Sequence, residues 1–229
     1  LHGESNEEIF LSTYICHPSM ANNELSGPTV VTYLAKWLSQ LTTHRYTYRF
    51  IFIPETIGSI TYLSRNYKHL KNNVVAGFNV SCVGDDRSYS YIPSRNGKTI
   101  SDTVSKHVLK WIDPDYTVYS WLDRGSDERQ YCAPGIDLPI ASILRTKYGQ
   151  YPEYHTSLDN LKDVVTPKGL EGGYTAIRRA LELLEKNRNY KVNVLCEPQM
   201  GKRGLYQTLS IKKKNEQGRL MMDFISHCD

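Results

Sequence analysis

Four short runs rich in β-branched and aromatic residues alternate with stretches of helical periodicity, and this alternation limits the chain to few architectures. The runs are 8–15 (EIFLSTYI), 46–54 (YTYRFIFIP), 73–83 (NVVAGFNVSCV) and 138–146 (LPIASILRT). Between the first two, residues 27–41 place Val30, Val31, Leu34, Trp37, Leu38 and Leu41 at helical spacing. Ser26 is placed to cap that helix, with Pro28 in its first turn, where a missing N–H does no harm. Further helices are predicted over 57–67, 101–112 and 167–187. Strands alternating with helices predict an α/β three-layer sandwich, in which a central, largely parallel (mixed) sheet is flanked by helices.

The totals narrow the function. No apolar run approaches the roughly 18 residues of a membrane span, and no signal-peptide pattern is present. The 229 residues are read as one main domain, 1–195, followed by an extension, 196–229. Net charge is only +4, and the one basic run, Lys212-Lys213-Lys214, reads as a solvated loop rather than a nucleic-acid surface. Five cysteines, odd in number and scattered, predict reduced thiols and a cytoplasmic setting. The chain starts without Met and stops inside the apolar run 221–229, so it reads as part of a longer protein. The sequence leaves self-association open.

In parallel sheets ligands gather beyond the carboxyl ends of the strands. The polar residues directly after the predicted strands are Cys16-His17, Glu55, Gly84-Asp85-Asp86 and the segment from Thr146 to His155. Taken singly, each has a bland account. His17 could bond backbone at a strand end, His155 could be a loop histidine, and Glu24 and Glu55 could favour helix N-termini. Occurring together at successive strand ends, they point to one site. Imidazole and carboxylate ligands suit zinc with an open position for water, and an unligated carboxylate nearby can take a proton from that water. Cys16 or Cys132 as a nucleophile is poorly placed, because neighbours in a strand face opposite ways.

The order of "CHPS…NNELSG", "PETIGS", "GFNVSCVG", "GSDERQY" and "YHTSLDNL" resembles the zinc-dependent aminopeptidase-like exopeptidases. It looks closest to a bacterial branch found near surface-polysaccharide biosynthesis genes. The resemblance covers roughly residues 8–187 and continues into 197–206 (EPQMGKRGLY). In that branch a small β-rich domain interrupts this one, and a winged-helix-like segment follows it. The resemblance implies one zinc ion held by His17, Glu24 and His155, with Glu55 as the base and Asp127 receiving the substrate amine. Glu128, Asp127 and Asp85 are reserve carboxylates for the metal shell. Asn23, Thr56 and Ser81 stand where related two-metal enzymes carry ligands, which puts a bridged pair of ions in doubt. Tyr131, Tyr154 and Arg129 are the candidates to line a substrate, either a small peptide or an amide-bearing amino sugar. The competing reading is an aminopeptidase-like scaffold without metal that binds a ligand in polysaccharide biosynthesis.

Overall fold

The computed structural model describes residues 1–205 and 216–228. The run Lys212–Lys214 lies outside them. The chain forms two compact units, 1–185 and 186–229. No helix among the described residues is long and apolar enough to cross a membrane.

Unit one is built on a six-stranded sheet in the order β2-β1-β3-β6-β4-β5. The strands are β1 (Glu8–Tyr14), β2 (Thr47–Ile53), β3 (Val74–Asn79), β4 (Ser90–Ile92), β5 (Thr117–Val118) and β6 (Ile140–Leu144). The first three and β6 are mutually parallel, whereas β4 runs antiparallel to β6. Every residue of β1 is buried, as a strand covered on both faces requires. Its side chains alternate between two cores. Ile9 and Leu11 join Val31, Leu34 and Leu38 of α1 (Ser26–Ser39) and Ile177 and Leu181 of α5 (Pro167–Lys186). Phe10 instead packs with Leu63 and Leu70 of α2 (Ile57–Asn73) and with Tyr131 of the short α4 (Glu128–Tyr131). The remaining long helix of this unit, α3 (Ile100–Ile112), adds Val104, Val108 and Leu109 to the first core. The architecture is the predicted sandwich.

Three local differences from the sequence reading matter for the site. The strand predicted to reach Val83 stops at Asn79, and the chain then turns through Cys82 in the left-handed region at φ 48°. Ser26 does not cap α1. A π-helical turn, Ala21–Leu25, precedes it, and the Ser26 hydroxyl donates to the Asn22 carbonyl while accepting from the Val83 N–H. The helix approaches the sheet very closely at Gly27, where a Cβ would lie 2.4 Å from Thr13 Oγ1 and 2.5 Å from the Val80 carbonyl oxygen. Only glycine fits there.

Unit two contains α6 (Glu216–Ile225), in which Phe224 meets Tyr190 edge-on at 5.3 Å.

Candidate functional site

The loops that leave β1, β2, β3 and β6 all emerge at the carboxyl edge of the parallel strands. After β1 the chain passes through Cys16 and His17 and enters the π-helical turn that carries Glu24. That turn brings a 3% exposed carboxylate back to the loop. Glu24 Oε1 lies 2.6 Å from His17 Nδ1, and Oε2 accepts the Cys16 N–H at 2.8 Å. Cys16 Sγ is 3.3 Å from His17 Nδ1 and 3.5 Å from Glu24 Oε1. Cys16, His17 and Glu24 form the one group of three or more such side chains, among the described residues, whose ligand atoms all lie within 4.8 Å of one another. Nitrogen, carboxylate oxygen and sulfur together are a donor set suited to zinc, so these residues fit the metal that the resemblance implies.

His155 arrives from the loop after β6. Its backbone sits in the left-handed region at φ 58°, and its ring stacks on Tyr154 at 3.9 Å. The other neighbour of that ring is His17, with centroids 4.9 Å apart. Two histidines separated by 138 positions therefore meet.

The loop is fastened from beneath by Asp159, which is fully buried. Its carboxylate accepts the N–H groups of Asn22 at 2.7 Å and Asn23 at 3.0 Å, and the Tyr151 hydroxyl at 3.0 Å. It thus caps the π-helical turn and ties it to the His155 loop. Asn23 in turn accepts the Tyr14 hydroxyl through Oδ1.

Glu55 follows β2 and is half-buried. Burial pushes its carboxyl above the ordinary range, while a Ser126 hydrogen bond and the charges of Arg129 and His17 oppose that rise. The next residue, Thr56, holds a left-handed backbone at φ 61°. A β-branched residue is strained there. Asp127 holds it in place, accepting the Thr56 N–H and the Ser59 hydroxyl through Oδ1, both at 2.8 Å. Arg129 donates to Thr56 Oγ1 at 2.7 Å. Asp127 Oδ2 has no hydrogen-bond partner among the described residues. Burial chiefly, with the charges of Glu55 and Glu128 adding to it, pushes this carboxyl up to about 6.

Several sequence expectations need correction. Tyr131 lines no cleft. It is fully buried, packs edge-on against Phe10 at 5.0 Å, and bonds Ser12 through its hydroxyl, because the α4 turn directs it into the core. Asp127 is fully buried as well, so a substrate amine does not reach it in this conformation; it pins the Thr56 turn. The reserve carboxylates are committed elsewhere. Glu128 serves Asn79, Gly125, Ser126 and Tyr148, and Asp85 serves Asn22, Arg87 and Thr146. Cys16 does address His17, because β1 ends at Tyr14 and strand alternation no longer applies beyond it. Asp159 escaped the sequence reading, although it lies in the quoted segment "YHTSLDNL" four residues after His155.

With this geometry established, comparison with known proteins is informative. The family model described as a domain of unknown function, DUF4910, matches residues 1–187. The chain belongs to that family. A winged helix-turn-helix model matches residues 188–229. A Clostridium acetobutylicum protein named for polysaccharide biosynthesis and an aminopeptidase-like domain is 45% identical over 210 residues, covering 91% of this chain and 48% of that protein. A crystal structure from the same organism, provisionally named a peptidase, superposes on the whole chain with TM-score 0.85 at 40% identity, over 51% of its own length. A zinc aminopeptidase from Bacillus subtilis has TM-score 0.67 at 17% identity, over 82% of this chain and 49% of that one. At that identity the likeness shows the fold alone. The chain spans about half the length of these relatives. The DUF4910 domain is aminopeptidase-like in fold.

Proposed function

We propose that this DUF4910 domain is a metal-dependent hydrolase that cleaves an amide or peptide bond next to a free amine. The observation that carries the reading is the convergence of His17, Glu24 and His155 beside Glu55 at the carboxyl edge of the sheet. His17, Glu24 and His155 would hold one zinc ion. Bound there, zinc would act as a Lewis acid toward a carbonyl and make nearby water more acidic. Glu55 takes the water's proton and returns it to the leaving nitrogen. Burial raises its proton affinity toward what such an exchange needs, while Arg129 and His17 keep it ionisable. Asp127 and Arg129 fix the Thr56 turn and so aim Glu55. Tyr154, stacked on His155, offers a ring edge to the substrate.

The proposed substrate is a small peptide or amino sugar rather than nucleic acid or lipid. The proposed setting is cytoplasmic, where cysteines without disulfides persist. Metal content of the purified chain, measured beside hydrolysis of aminoacyl amides and amino-sugar amides, tests the reading. Near-stoichiometric zinc with activity that Glu55→Gln abolishes supports it; a metal-free protein without activity overturns it.

A second reading, a ligand-binding module without metal, draws support from Asn23, whose amide is occupied by Tyr14, and from Thr56, whose side chain is taken by Arg129. Ligand binding by a protein that takes up no metal would favour it.

A further inference from the structure

Cys16 is exposed, it has no part in the mechanism above, and its sulfur sits among the donors of the site. We propose that Cys16 is itself a metal ligand, a thiolate that joins His17, Glu24 and His155 around the ion, leaves water to enter as a fifth ligand, and gives the site a preference for borderline and soft divalent cations. This rests on the reading of the site as a metal centre.

The geometry separates a ligand from a nucleophile. In a nucleophile–base–orienter relay the two partners of the histidine use different ring nitrogens. Here Cys16 Sγ and Glu24 Oε1 both address His17 Nδ1, so no relay runs through the ring. Three donors meeting at one point is instead the arrangement of a coordination shell. Tetrahedral zinc, with bonds of about 2.0–2.3 Å, keeps its donors roughly 3.3–3.7 Å apart. The sulfur already stands 3.3 Å from the imidazole nitrogen and 3.5 Å from the carboxylate oxygen. Only the 2.6 Å contact between His17 and Glu24 must open to admit an ion.

A further contact comes from outside this trio. The backbone N–H of Glu55 donates to Cys16 Sγ at 3.4 Å, so the sulfur is oriented as an acceptor by the residue that begins the Thr56 turn. Outer-shell hydrogen bonds of this kind orient ligands and tune the metal. On binding, the thiol gives its proton to solvent as the sulfur–metal bond forms. A thiolate discriminates against magnesium and manganese and in favour of zinc and its spectroscopic substitute cobalt.

The test loads the full chain with cobalt(II) and compares it with Cys16→Ser and Cys16→Ala, with melting temperature as a control for folding. The wild type should show near-ultraviolet thiolate-to-cobalt charge-transfer absorption. Both variants should lose that band, retain the visible cobalt bands, and bind cobalt at least about tenfold more weakly. Their preference for zinc over manganese should shrink as well. A wild type that binds cobalt without the charge-transfer band overturns the assignment and leaves the metal centre standing, as does a band that survives both substitutions. A wild type that binds no cobalt or zinc overturns this proposal together with the hydrolase reading.

Discussion

Asp159→Ala should cost about 3–6 kcal/mol, and the figure can be built from what the side chain touches. Two backbone N–H groups, of Asn22 and Asn23, lose their acceptor, and the Tyr151 hydroxyl loses its partner. All three bonds are buried. Each stranded donor costs roughly 1–3 kcal/mol, and removing a carboxylate from a helix start adds about 0.3–1 kcal/mol. Water entering the gap offsets part of this, which places the expectation near the lower half of the sum. Asp159→Asn keeps one acceptor but points an amide donor at another donor, so about 1–3 kcal/mol is expected. Urea unfolding followed by tryptophan fluorescence measures both, and it reports unit one alone because Trp37, Trp111 and Trp121 all lie within 1–185. A loss below about 1 kcal/mol for Asp159→Ala, by linear extrapolation, would show that the π-helical turn is held by other contacts.

Glu55→Gln should lower turnover about 10²–10⁴-fold while bound zinc and melting temperature stay close to wild type; simultaneous loss of zinc would make Glu55 a ligand instead. Leu34→Ala, at a fully buried position on α1, should cost roughly 2–5 kcal/mol in denaturant, and a cost under about 0.5 kcal/mol would mean that the face is misassigned. Asp127, raised to about 6 in the fold from about 3.9 unfolded, makes the native state hold a proton that the unfolded chain has released. Stability should therefore fall as pH rises from about 4 to about 6. Asp127→Asn should flatten that slope in urea melts taken across the window, and an unchanged slope would refute the assignment.

The main strands and helices were legible because their periodicities extend over five or more residues. The strands β4 and β5, with three residues and two, carry no period to detect. The π-helical turn was invisible for another reason. Its two asparagines are buried by partners far along the chain, with Asp159 lying 136 positions from Asn23 and Asp85 lying 63 from Asn22. That His17, His155 and Glu55 lie near one another was legible because each follows a strand at the same edge of the sheet. Tyr131 was misplaced because a four-residue helix leaves no pattern that says where its side chains point.

The position of β6 outside β3 has a consequence for how the chain is made. β1, β2 and β3 can pair as soon as residue 79 exists, but the free flank of β3 waits for Ile140 and Ala141 to meet Gly77 and Phe78. A nascent chain released before that point carries an unpaired strand flank beside a fully apolar core residue, Phe78. Such flanks template pairing between copies. It also carries His17 and Glu24 without His155. On the proposed reading an ion would arrive only once the sheet is finished, so chains stalled on the ribosome short of residue 138 should be held by chaperones whatever the zinc supply.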